Sequence, residues 1–138
     1  NSTPRKAMAI TSGAEVEHHP STGSGLHIQK VLPRVTPNYP NAGQSGTAQN
    51  WYQVPRGESG IIHYGNTNNA GGEYRCAGFI VYSAAEANNS PVAITISVTE
   101  SVRGDMVAFD VSGGYIRVQN TYGYGIELMG YVQAFRRA

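Results

Sequence analysis

Val92, Ile94, Ile96 and Val98 alternate with Ala93, Thr95, Ser97 and Thr99, which puts branched apolar side chains on one face of an extended strand and small ones on the other. The pattern predicts a half-buried β-strand. Met106 to Val111 and Tyr115 to Gln119 continue as strand-length stretches, separated by Gly, Asn and Asp turns with no helical stretch between them. Tyr74 to Ser83 and Ile126 to Phe135 differ, because they are apolar or aromatic on both faces: Phe79 and Val81 against Ile80 and Tyr82, and Ile126 and Leu128 against Met129 and Tyr131. Such strands are either central in a sandwich or lie in a subunit interface. Upstream, Leu26 to Val35 reads as extended until Pro33, which restricts it to an edge strand or the end of one. Trp51 to Val54 and Gly60 to Tyr64 are shorter strand candidates. Roughly seven or eight turn-separated strands predict an all-β, single-domain antiparallel β-sandwich or jelly roll.

At 138 residues and 40% hydrophobic content the chain has the length of one domain with a real core. The formal net charge of +1 leaves no electrostatic footprint for nucleic acid, and the tight basic clusters, Arg5-Lys6 and Arg136-Arg137, sit at the termini. Charged residues make up only 14%, against about 25% in ordinary globular chains. Gly, Asn and Tyr are abundant instead, so amides, hydroxyls and backbone must make the surface polar. The single cysteine, Cys76, rules out an intrachain disulfide and lies in an apolar stretch, where it is expected to pack as a small hydrophobe. No window approaches the ~18 consecutive apolar residues of a membrane-spanning helix, so no membrane insertion is expected. A first residue of Asn rather than Met is what processing, trimming or a fragment would leave.

Two regions are expected: an extended N-terminal arm over residues 1–25 and a β-sandwich domain over 26–138. The arm is poor in apolar residues and ends in the linker-like Ser21-Thr22-Gly23-Ser24-Gly25. Its apolar cluster, Ala7 to Ile10, has the makings of a strand added to a neighbour's sheet edge. Glu15, Glu17, His18, His19 and His27 are metal-ligand types, but no spacing matches a metal site and none is expected.

Between Thr36 and Gly72 the chain turns to Pro, Asn, Gly, Gln and aromatics. Turn-rich stretches of this length are disproportionately functional, and the binding surface is sought here. The candidate ligand-binding residues are Tyr39, Asn50, Trp51, Tyr52, His63, Tyr64, Asn66, Asn68 and Asn69. Sugars present apolar C–H faces and a rim of hydroxyls, so flat aromatics beside amides that donate and accept are their complement. The competing reading makes Trp51 a core residue and the asparagines turn formers.

Catalytic signatures are missing. There is no glycine-rich phosphate loop opening a helix and no Gly-x-Ser-x-Gly elbow. Of the nine acids, Asp105, Asp110 and Glu127 read as the ones on or beside core strands, and no carboxylate pair for glycoside hydrolysis stands out. Asp110 reads as a solvent-facing strand residue. Arg103-Gly104-Asp105 matches an adhesion tripeptide in letters, but is sufficiently explained as a tight hairpin turn. Asn88-Asn89-Ser90, a formal glycosylation acceptor, reads as a turn before Pro91.

From Val98 to Phe135 the chain runs apolar strand, Arg103-Gly104-Asp105, apolar strand, Tyr115-Ile116-Arg117-Val118, a Gly-aromatic turn, then Leu128-Met129-Gly130-Tyr131-Val132. This succession resembles the closing strands of trimeric jelly-roll heads, as in C1q and tumour-necrosis-factor type domains and the C-terminal heads of some bacteriophage tail fibres. The Gly-, Asn- and Tyr-rich composition is similar to that of phage fibre and virion-surface proteins. The resemblance implies a homotrimer on the virion surface, extracellular, that recognises a host surface glycan or protein. The expectation is thus a non-enzymatic receptor-binding head of a tail fibre or spike, without cofactor. A structural virion or filament subunit joined through its arm, such as a capsid decoration protein or pilin-like protomer, and a carbohydrate-binding module remain the alternatives.

Overall fold

The computed structural model describes residues 15–18, 25–39, 45–67 and 75–137. The expected strand at Ala7 to Ile10 lies outside them. Among the described residues nine strands follow one another: β1 (Glu15–His18), β2 (Gly25–Val35), β3 (Gln49–Gln53), β4 (Ser59–Asn66), β5 (Ala77–Ala84), β6 (Ile94–Val102), β7 (Val107–Ser112), β8 (Tyr115–Asn120) and β9 (Leu128–Arg137). Among the described residues there is no helix. The strands form a six-stranded sheet in the order β1-β2-β9-β4-β5-β6 and a three-stranded sheet in the order β3-β8-β7. All pairings are antiparallel. The chain is therefore an all-β antiparallel sandwich, with β4, β5 and β6 paired consecutively within one sheet.

Alternation decides the interior. Leu32 of β2, Ile62 and Tyr64 of β4, Ile80, Tyr82 and Ala84 of β5, and Leu128 and Val132 of β9 are buried in one core cluster, and Leu26 and Ile28 of β2 are buried apart from it. Ile116 and Val118 of β8 meet the cluster from the other side, together with Met106, Val107 and Ile126. Ile94, Ile96 and Val98 of β6 pack on this cluster while Thr95, Ser97 and Thr99 face out. Burial of a branched side chain stabilises by about 1.5–3 kcal/mol, so one correct register choice commits a whole strand.

The opposite face of the six-stranded sheet carries no covering layer among the described residues. Across it run Val31, Tyr131, His63, Phe79 and Thr99, then Gln29, Gln133, Ile61, Val81 and Ser97, then His27, Phe135, Ser59, Ser83 and Thr95. The both-faced apolar character of β5 and β9 arises here.

Pro33 does not make β2 an edge strand, since β2 lies between β1 and β9. It falls where the register with β9 shifts between Leu32 and Val35, beyond the reach of β1, which pairs only with residues 27–30. Among the described residues no ladder partner is due at Pro33, and a missing N–H costs nothing at such a position. The arm expected over residues 1–25 contributes β1 to the sheet of the same chain, in register from Glu15 opposite Lys30 to His18 opposite His27.

Arg103-Gly104-Asp105 is not a hairpin. It joins β6 of the large sheet to β7 of the small one, so the chain changes layers there. Arg103 takes φ 47°, the left-handed region, and its guanidinium grips Asp105 with two 3.0 Å bonds while lying 4.5 Å from the centre of the Tyr122 ring. The Arg103 pair holds the Asp105 carboxyl below the usual carboxylate range.

Candidate functional site

The sandwich has two different ends. At the one where β4 begins, Glu58 is fully buried. Its Oε2 accepts hydrogen bonds from the hydroxyls of Tyr52 and, at 2.6 Å, of Tyr82, and its Oε1 lies 3.7 Å from Nε of Arg136. Lys30 stands 5.4 Å from the centre of the Tyr52 ring. The two phenols replace the water that Oε2 loses, while Oε1 has the nearby Arg136 cation but no hydrogen bond among the described residues. Burial, reinforced by Tyr52 and Glu58, pushes the Tyr82 phenol far above its ordinary range. Glu58 is thus the acid most deeply embedded in the core, which corrects the reading that Asp105, Asp110 and Glu127 alone lie on or beside the core strands. A sequence signal existed: Glu58 has the same parity as Ile62 and Tyr64, so the inward alternation of β4 runs back onto it.

The far end is open. Here the segment after β2 passes close over residues 45–49: a Cβ on Gly46 would stand 1.5 Å from the Asn38 carbonyl oxygen, so only glycine fits the crossing. Asn38 N–H donates to Gln49 Oε1 at 2.7 Å, Gly46 N–H to the Asn120 carbonyl at 2.8 Å, and Gln119 Nε2 to the Gly46 carbonyl at 2.7 Å. Asn120, fully buried, shapes the next loop by accepting from the N–H groups of Tyr122 and Gly123 and donating to the Tyr124 carbonyl. Thr67 N–H donates to the Glu127 carbonyl at 2.6 Å, and Arg34 reaches Glu127 Oε1 at 3.4 Å. Between these braced segments lies a cleft of about 300 Å³, walled by Thr36, Pro37, Asn38, Tyr39, Gly125, Ile126 and Glu127. Tyr39, 44% exposed, is its aromatic wall.

The other candidate ligand residues scatter. Asn50 is exposed on β3. Trp51 and Tyr52 both turn inward because the register of β3 against β8 slips between Asn50 and Tyr52, leaving Trp51 as an extra residue. Trp51 is half-buried, stacks on Phe109 at 5.9 Å, and fills the space over Gly130, where a Cβ would meet its ring at 2.8 Å. Its indole N–H donates to the Pro33 carbonyl at 3.2 Å, so the irregularity in β3 satisfies the one in β2. Tyr52 and Tyr64 are core residues, turned away from solvent by the alternation of their strands. Tyr64 packs edge-on against Phe109 at 4.8 Å, and burial pushes its phenol up to about 12. His63 lies on the outer face between Phe79 and Tyr131. Asn66 closes the end of β4 by accepting from Cys76 N–H at 3.2 Å. Asn68 and Asn69 lie outside the described residues. The open end therefore brings Tyr39 together with Thr36, Asn38 and Glu127, which the sequence reading did not single out as ligand residues, whereas Asn66, at the end of β4, is not among the residues lining the cleft.

Cys76 is buried and burial raises its thiol pKa, the environment of a packing residue rather than of a nucleophile. Asp110 stands out from β7 and is gripped by Arg117 of β8 through bonds of 2.8 and 2.6 Å. No three of His, Cys, Asp and Glu gather to hold a metal among the described residues.

No family model matches the chain, and no curated protein matches it. Its fold is similar to part of a tailspike protein of the Acinetobacter baumannii bacteriophage Fri1, a capsular polysaccharide depolymerase, with a TM-score of 0.63 at 9% sequence identity. The likeness covers 89% of this chain and 20% of that one. At that identity the shared property is the fold of the sandwich.

Proposed function

We propose that this chain is a non-catalytic module of a phage tail fibre or tailspike, which binds a host surface polysaccharide at its open end and works as a homotrimer on the virion surface. The observation that carries the reading is the cleft beside Tyr39. An exposed aromatic ring gives a sugar's C–H face something to stack on, and Thr36, Asn38 and Glu127 offer hydroxyl, amide and carboxylate groups for its rim. The tailspike likeness supports the setting, since that protein acts on a capsular polysaccharide. Binding without cleavage is supported by the carboxylates: among the described residues the cleft walls carry one, Glu127, which is tied to Arg34, whereas glycoside hydrolysis ordinarily needs two flanking the bond, about 5–10 Å apart.

The test is titration calorimetry against a panel of purified capsular polysaccharides. One member is expected to bind, and Tyr39→Ala to weaken it at least about tenfold, or about 1.4 kcal/mol, with the unfolding midpoint unchanged. Binding that survives Tyr39→Ala puts the ligand elsewhere. Turnover of the polysaccharide overturns the non-catalytic reading.

A further inference from the structure

We infer that the outer face of the six-stranded sheet is the surface through which copies of this chain pack against one another. The inference rests on the homo-oligomer in the reading above and names its interface. Large apolar side chains stand in solvent at the centre of this face: Ile61 is 38% exposed, Phe79 40%, Val81 48% and Phe135 58%. Adjacent exposed apolar groups of this number mark a surface that is covered in the working state.

The face is built to be desolvated. None of its three cross-sheet rows contains Asp, Glu, Lys or Arg. Four of its polar side chains are already matched to each other, His63 Nε2 to Gln133 Oε1 at 3.0 Å and Ser59 to Ser83 at 2.9 Å, so covering these pairs keeps their mutual hydrogen bonds. Among the described residues, charge returns at the margin beside Phe135, where Arg137 pairs with Glu86. A neutral aromatic centre with charge held to its margin is the usual anatomy of a protein–protein contact.

Three observations single out a second copy as the occupant. Without charge the face selects no oppositely charged partner and does not repel itself. The aliphatic strip of Ile61 and Val81 offers sugar hydroxyls nothing to bond. The size is of the right order: five strands about 4.8 Å apart and three rows two residues apart at about 3.4 Å per residue span about 24 by 20 Å. That projects to about 490 Å² before the relief of the side chains is counted, against the ~800 Å² of accessible surface per partner in a stable interface. A hollow of about 380 Å³ between Gln29, Ile61 and Gln133 lies next to the projecting Phe135, so one face carries both a knob and a hole.

Sedimentation velocity on the whole chain, with Val81→Lys and Ile61→Lys beside it and Val111→Lys on the small sheet as control, tests the inference. The wild type and the control are expected to run as the oligomer, and both face variants to dissociate at least tenfold more readily while keeping the wild-type circular dichroism. Wild-type oligomer with both face variants still assembled overturns this surface and leaves the oligomer standing. A wild-type monomer overturns both. Hydroxyl-radical footprinting of the unmodified oligomer needs no variant: Phe79 and Phe135 are expected to react at least fivefold more slowly than the exposed Tyr39 and Tyr124, and equal rates overturn the inference.

Discussion

Two buried tyrosines mark the difference between the ends of this sandwich. Tyr82, at the closed end, donates its hydroxyl to Glu58 at 2.6 Å. Tyr64, one strand away and nearer the open end, has a buried hydroxyl with no hydrogen bond among the described residues. Both rings contribute the same apolar area, yet one hydroxyl completes a polar network and the other is desolvated without compensation. A buried hydroxyl stabilises only through its partner. The closed end is therefore a clamp built on Glu58 Oε2, which two phenols share; Glu58 Oε1 has the 3.7 Å approach of Arg136 without a hydrogen bond among the described residues, so incomplete polar matching occurs at both ends and the shared acceptor is what sets the closed end apart.

Removing the shared acceptor breaks this contrast most strongly. Glu58→Ala strips the partner from two buried phenols and leaves Arg136 facing an emptied site, and should cost about 3–5 kcal/mol in urea unfolding; a loss below about 1 kcal/mol would contradict the clamp. The tyrosines themselves sharpen it. Tyr82→Phe should cost about 1.5–3 kcal/mol, the range for a bond to a charged group, whereas Tyr64→Phe, which removes an uncompensated buried hydroxyl, should cost nothing and stabilise by up to about 1–3 kcal/mol. Equal losses in the two variants would erase the difference between the ends.

The mildest probe is alkaline pH. Burial holds both phenols neutral, so their folded pKa lies above the unfolded value of 10.0, at about 12 for Tyr64. The unfolded chain then releases its phenolic protons first, and stability that is whole below about pH 10 is lost as the pH rises toward 12. Thermal melts from pH 8 to 12 should show this fall. Tyr64→Phe should make it shallower, and an unchanged slope would mean that Tyr64 is not held neutral by the fold.

Much of the fold was legible because alternation is a local property. The strands read around Leu26 to Val35, Gly60 to Tyr64 and Val92 to Phe135 lie within a few residues of β2, β4 and β6 to β9, and the inward set of β6 was readable residue by residue. The candidate site was less legible. Tyr39 lines the open cleft, but Trp51 and Tyr52 turn inward together, against the alternation, because a register slip interrupts β3. Only the pairing with β8 reveals that slip.

The sequence by itself determined which residues extend into strands and which of them share a face, since a period of two needs nothing but neighbours along the chain. Tertiary structure decided which faces are covered. It turned Glu58 into a buried acceptor by bringing Tyr52, Tyr82 and Arg136 around it, and it sent Arg103-Gly104-Asp105 between layers rather than through a hairpin. It also left Phe79, Val81 and Phe135 in solvent on an uncharged sheet face. The reason is the same each time: burial and polar partnership are set by groups far apart in the chain, and local periodicity does not specify which distant strand lies opposite.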